Sequence, residues 1–251
     1  LIGTINDIKT ICKKAKNEKI LTYIDAVQLA PHLAIDVQEI DCDFLVCSSY
    51  KFFGPHQGIL WGRKEIMQTL QPYKVRPATS ELPGSFETGT QSHEGMAGTT
   101  AAVNYFAWIG KEFAGQFQKE RAFDRQRTKY VHAALDYLFE YEKLLTLYLI
   151  EGLSNLKKIK IQGITQSDAM DRRLPTVSFS MDGVHPEEVA KELGKNNIFV
   201  WSGHSYAIEV VKSLGLYENG GVIRTGPVHY NSIEEIQEFL EILESILITK
   251  Q

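Results

Sequence analysis

Asp43-Phe44-Leu45-Val46-Cys47-Ser48-Ser49-Tyr50-Lys51-Phe52-Phe53-Gly54-Pro55 is the stretch on which the fold turns. Its first six residues read as a buried strand, because the centre is continuously apolar in the way of a sheet covered on both faces. Two serines end the run, and a lysine follows among three aromatic residues beside a Gly-Pro turn. Upstream, Ile20-Leu21-Thr22-Tyr23-Ile24 is β-rich and ends at Asp25. Before that, residues 4 to 16 set Ile5, Ile8, Ile11, Cys12 and Ala15 at helical spacing with lysines opposite. Downstream, Gly58-Ile59-Leu60-Trp61-Gly62 is a third short strand, and residues 64 to 70 read as a helix. This alternation predicts an α/β architecture with a largely buried sheet.

Further along, residues 71 to 98 hold Pro72, Pro77, Pro83, Gly84, Gly89, Gly95 and Gly98 and read as one extended loop. Loops of that length inside a compact protein are more often functional than idle. Residues 99 to 153 read as mostly helical. The last hundred residues read as α+β, with strands at 158–162, 176–181, 198–201 and 221–225 and helices at 186–194 and 232–248. Asn231 with Glu234 is the expected cap of the last helix.

The 251 residues are 43% hydrophobic and 23% charged, which is globular rather than disordered composition. A formal net charge of −4 gives no basic surface for nucleic acid. No apolar stretch approaches the roughly 18 to 20 residues that cross a bilayer. Three cysteines, Cys12, Cys42 and Cys47, match neither a zinc spacing nor a secreted disulfide scaffold, so no metal site is expected and a cytoplasmic location is. Leu1 in first place, with a helical pattern starting almost at once, suggests a piece of a longer polypeptide.

Asp25 and Lys51 both follow apolar strands, and ligands of open α/β sheets bind at the C-terminal ends of strands. Read singly, Asp25 is equally a capping acid and Lys51 a surface lysine. Together they match a chemistry: a lysine desolvated among apolar groups can act as an amine nucleophile. A Schiff-base lysine with a carboxylate on a pyridinium nitrogen is the pairing that pyridoxal phosphate (PLP) requires.

Four segments carry a resemblance. Asp25-Ala26-Val27-Gln28, Ser48-Ser49-Tyr50-Lys51, Phe86-Glu87-Thr88-Gly89-Thr90, and Ile223-Arg224-Thr225-Gly226 leading to His229-Tyr230-Asn231 occur in the order of the class V aminotransferase family. That family includes the cysteine desulfurases and has PLP fold type I. The resemblance implies the later part of the large cofactor domain over residues 1–110, connecting helices over 111–153 and a small C-terminal α+β domain over 154–251. It implies that Lys51 is the catalytic Schiff-base residue and moves the substrate's Cα proton. Asp25 would pair with the pyridinium nitrogen, Gln28 with the phenolic oxygen and Ser48 with the phosphate. Tyr50 stands where desulfurases often carry histidine, as in kynureninase-like relatives. Thr90 would reach the phosphate of a neighbouring subunit, which implies a homodimer. Arg224 would clamp the carboxylate of a small amino-acid substrate. His204 is a candidate substrate-site residue, read as a loop residue in preference to a packed core histidine. His56 and His93 are left as loop residues with no role.

Two departures from the family's pattern stand beside these matches. In one desulfurase branch the persulfide cysteine lies in a Gly-His-x-Cys-Ala context, and this chain has Gly203-His204-Ser205-Tyr206-Ala207. Tyrosine cannot carry a persulfide. The N-terminal portion that precedes the Asp-x-x-Gln strand in the family is also expected to be missing. The sequence therefore reads as a PLP-dependent, desulfurase-like enzyme without the loop cysteine. The alternatives are a non-catalytic remnant serving as a dimerisation or binding module, and a kynureninase-like carbon–carbon lyase.

Overall fold

The computed structural model describes residues 1–119 and 125–249. It divides into two compact units, Asp7–Tyr137 on one side and Leu1–Asn6 with Leu138–Gln251 on the other.

The first unit contains α1 (Ile8–Asn17), β1 (Tyr23–Asp25), α2 (Val37–Ile40), β2 (Phe44–Ser48), β3 (Gly58–Gly62), α3 (Lys64–Met67), α4 (His93–Glu112) and the start of α5 (Gln126–Asn155). Its sheet has the order β1-β2-β3, with β1 and β2 parallel and β3 antiparallel to β2. Register explains the packing. Ile24, Leu45 and Trp61 form one cross-strand row, and that row faces a small core with Cys12, Ile40 and Cys42 from α1 and the α2 segment. The rows on either side of it, Tyr23–Phe44 and Val46–Leu60, point to the opposite face, where Tyr23 and Leu60 are exposed. The expected largely buried sheet is thus corrected within the described residues: one face is covered, and Leu45 is the buried member of β2. Thr22 and Asp43 lock the β1–β2 register, because the Asp43 carboxylate accepts from both the N–H and the hydroxyl of Thr22 at 2.8 and 3.0 Å.

Residues 93–98, expected in the loop, begin α4 instead, with the Ser92 hydroxyl capping at the Gly95 N–H. The glycines there serve close approach rather than breakage. A Cβ on Gly98 would lie 3.0 Å from Pro55, and one on Gly95 would lie 2.8 Å from the Gln57 side chain. The expected helical stretch 99–153 resolves into α4 and α5, and its residues 120–124 lie outside the described residues.

The second unit is built on an antiparallel sheet, β4 (Ile159–Gln162), β5 (Val177–Met181), β7 (Val222–Thr225) and β6 (Trp201–Gly203) in that spatial order. It packs with α5, α6 (Pro186–Lys195) and α8 (Ile233–Thr249) around a core that includes Leu145, Leu149, Phe179, Leu193, Ile223 and Leu243. The short helix α7 (Ile208–Ser213) has no counterpart among the expected elements. Residues 198–200, expected as strand, only lead into β6. Residues 4–6 are not helical but join this unit, with Thr4 bridging Arg173 and the Leu174 N–H donating to the Gly3 carbonyl at 2.8 Å. The cap of α8 is shifted by one residue: Ser232 and Glu235 form the reciprocal box. Asn231 instead closes the preceding turn by accepting from the Val228 N–H at 2.9 Å.

Candidate active site

Because β1 and β2 run parallel, with Asp25 opposite Val46, their C-terminal ends lie at one end of the sheet. That end carries Asp25, Ser48 and everything immediately after Ser48. The exposed Asp25 carboxylate accepts from the Val27 N–H at 2.9 Å through one oxygen. Gln28 is half-buried in the turn that follows, where the N–H groups of Leu29 and Ala30 return to the Ala26 carbonyl.

Lys51 sits in a single 3₁₀ turn, Ser49–Phe52. With about three residues per turn, positions 49 and 52 share one side, and both are buried. Tyr50 and Lys51 consequently face away from it. Ser49 anchors the turn: its N–H donates to the Gln57 carbonyl at 2.9 Å and its hydroxyl to the Pro55 carbonyl. Phe53 closes the turn at φ 67°, a left-handed conformation rare for a bulky side chain, and the Gly54 N–H returns to the Ser49 carbonyl at 2.8 Å. Lys51 is half-buried, with Nζ 4.9 Å from the centre of the Tyr50 ring, within cation–π range. The aromatics around Lys51 enclose it only in part, since Tyr50 and Phe53 are exposed and Phe52 alone of the three is buried.

The Tyr50 ring stacks on His56, centre to centre 5.0 Å at 15°. Sequence reasoning gave His56 no role. The signal available was the Gly54-Pro55 turn, which folds the following residues back onto the lysine segment. Thr90 lies in the same unit on an exposed loop, next to Gly89 at φ 71°.

Arg224 and His204 belong to the other unit. Arg224 sits in β7 between Ser178 and Trp201, half-buried, and burial pushes its guanidinium below its ordinary value. His204 is an exposed loop residue whose Nδ1 accepts from the Tyr206 N–H at 3.1 Å. Tyr206 is 95% exposed. Arg173, unnoticed in the sequence, is a buried guanidinium that donates to the carbonyls of Ile164 and Thr176, and burial pushes it down to about 10. All three cysteines are free thiols, and burial pushes those of Cys42 and Cys47 up.

An amine, a carboxylate, an amide, a hydroxyl and a phenol stacked on an imidazole thus all follow the parallel strands at one sheet end. That donor set suits a charged, aromatic carbonyl compound with an anionic substituent, and the residues present fit PLP. The arrangement is that of an α/β protein with a lysine, a carboxylate and a hydroxyl at one end of a parallel strand pair. The class V aminotransferase profile matches residues 1–142 and 126–239, and the chain belongs to that family. Enzymes of this family are PLP-dependent.

Among similar proteins, a probable cysteine desulfurase of Halalkalibacterium halodurans is 29% identical over 97% of this chain and 55% of its own length. An aminotransferase-like protein of Gibberella zeae is 30% identical over 98% of this chain and 57% of its own length. The solved apo structure of cysteine desulfurase from Thermococcus onnurineus superimposes with a TM-score of 0.82 at 27% identity, covering 98% of this chain and 57% of that one. The fold is therefore that of the cysteine desulfurases, PLP fold type I. The chain spans little more than half the length of these relatives.

Proposed function

We propose that the chain is the lysine-bearing part of a PLP-dependent enzyme acting on a small amino acid, desulfurase-like in kind but without a loop persulfide. The observation that carries this reading is the parallel β1–β2 register, which sets Asp25 and the Ser48–Lys51 turn at the same sheet end. Lys51 would hold the cofactor through its amine and would move the proton at the substrate Cα. Asp25 keeps the ring nitrogen protonated, Gln28 donates to the phenolic oxygen, and Ser48 and Tyr50 hold the phosphate. When bound, PLP serves as the electron sink for the carbanion left at Cα. Arg224 orients the substrate through a two-pronged contact with its carboxylate, and His204 lines the substrate's approach. Thr90 acts across a homodimer, a reading supported by its exposure on the 87–92 loop.

Tyr206 in place of a cysteine supports chemistry other than persulfide formation. So do the buried position of Cys12 and the burial that keeps the Cys42 and Cys47 thiols protonated and unreactive. Free thiols also accord with a cytoplasmic site of action.

The test is borohydride trapping of the purified chain with PLP, followed by peptide mass mapping. A pyridoxyl adduct on Lys51 that vanishes in Lys51→Ala is expected. An adduct spread over surface lysines, unchanged in Lys51→Ala, overturns the assignment.

A further inference from the structure

The sheet of the second unit ends at β6, and the β6–β7 ladder stops at the pair Trp201–Arg224. Beyond that pair the two chains part, residues 196–200 arriving at β6 and residues 225–231 leaving β7. Between them and the N-terminal half of α8 lies an open cleft of about 570 Å³. Its floor is apolar, supplied by Leu149, Ile236 and Phe239 of the core. Ile198 and Val200 pack inward against the same core, so Phe199 between them turns outward and is 85% exposed. Tyr230, also lining the cleft, is 69% exposed. One wall carries Glu235 and Glu238. Along the whole of α8 there are five exposed glutamates, at 234, 235, 238, 241 and 244, and neither lysine nor arginine.

Outward aromatic residues beside an apolar floor mark an interaction site more often than a plain solvated surface. Forked strand ends offer an extended chain a place to lie, with alternate side chains directed into the floor and away from it. Like charges spaced three and four residues apart on a helix repel one another, so the acidic wall gains from a cationic neighbour and rejects an acidic one. We infer that this cleft docks an extended polypeptide segment of a partner protein in which apolar residues alternate with lysine or arginine. The apolar side chains fill the floor, and the cations face α8. The inference does not rest on the PLP reading, because no residue assigned to the cofactor takes part.

The test uses the full chain, labelled with nitrogen-15 and titrated with the synthetic peptide acetyl-Lys-Ile-Lys-Phe-Lys-Val-Lys-amide. Amide shifts confined to residues 196–203 and 225–238 are expected, with a Kd on the order of 50 μM that weakens about 10-fold or more from low to high salt. The same peptide with glutamate for lysine should not bind. A Glu238→Lys/Glu241→Lys variant should lose about 10-fold in affinity with unchanged circular dichroism and Tm. Phe199→Ser should weaken binding and leave its salt dependence intact. Shifts absent or located elsewhere, or equal binding of the acidic peptide, overturn the proposal. So does sedimentation showing a dimer in which residues 196–203 are protected, which gives the cleft to a second copy.

Discussion

At Ser205 and Tyr206 the backbone takes φ of 46° and 62°, two successive left-handed residues without a glycine. Each such residue costs on the order of 1 kcal/mol or more, and the His204 imidazole steadies the turn by accepting the Tyr206 N–H. The strain sets one phenol out into solvent at the place where the resemblance puts a sulfur nucleophile. Tyr206→Cys is therefore expected to fold as the parent does, since the ring makes almost no buried contact. It should also add a fast-reacting thiol and, with PLP and L-cysteine present, raise alanine formation together with sulfide release when dithiothreitol is added to reduce the persulfide. A labelled thiol with no gain in sulfide would mean that Tyr206 is not what separates this chain from persulfide chemistry. The proposed role of Arg224 as the substrate-carboxylate clamp is tested separately. Its guanidinium is held at a desolvation cost, which a bound carboxylate would offset. Arg224→Lys keeps the charge and loses the planar fork, so KM for the amino acid should rise about 10-fold or more while kcat changes little.

Elements were legible where periodicity spoke and misread where glycine did. The β1–β2–β3 succession, the α5 stretch and α8 follow from apolar spacing, which is a property of many residues at once. The start of α4 was hidden because Gly95 and Gly98 look like breakers, yet their missing side chains admit Gln57 and Pro55. Gly110 makes the same point where α4 meets α5: a Cβ there would overlap the Tyr130 carbonyl. Gly110→Ala is accordingly expected to cost about 3 kcal/mol, against the slight gain that alanine gives in an unobstructed helix, and urea unfolding measures it. At α8 the cap was misplaced by one residue because Asn231 and Ser232 are both good caps by type, and the geometry alone assigns Ser232 to Glu235. Ser232→Ala should cost about 1 kcal/mol in the same assay.

On the scale of the whole molecule, the division into units separates the assigned residues. Asp25, Gln28, Ser48, Tyr50, Lys51 and Thr90 lie in one, and Arg224 and His204 in the other. The domain bounds implied by the resemblance, 1–110 and 154–251, already hold these two sets apart, but they give neither the place of residues 1–6 nor the boundary itself. The partition depends on residues 1–6 pairing with 172–174 and on a boundary inside α5, and neither leaves a local signal. The division has a thermodynamic consequence, because Cys12, Cys42 and Cys47 all belong to unit 7–137. Burial holds the thiols of Cys42 and Cys47 above their ordinary 9.0, with neighbouring Cys12 adding to the effect at Cys42. In the unfolded chain these thiols lose their protons from about pH 9 upward, while the folded chain still holds them. Above that pH the unfolded state binds fewer protons than the folded one, so stability falls as pH rises, and the contribution is intact below it. The measurement is made in a Trp201→Phe background, where the remaining tryptophans, Trp61 and Trp108, both report on this unit. The urea midpoint followed by their fluorescence should fall more steeply between about pH 8.5 and pH 10 than in the same chain carrying Cys42→Ala and Cys47→Ala. Equal slopes in the two chains would place the alkaline loss of stability on groups other than these thiols.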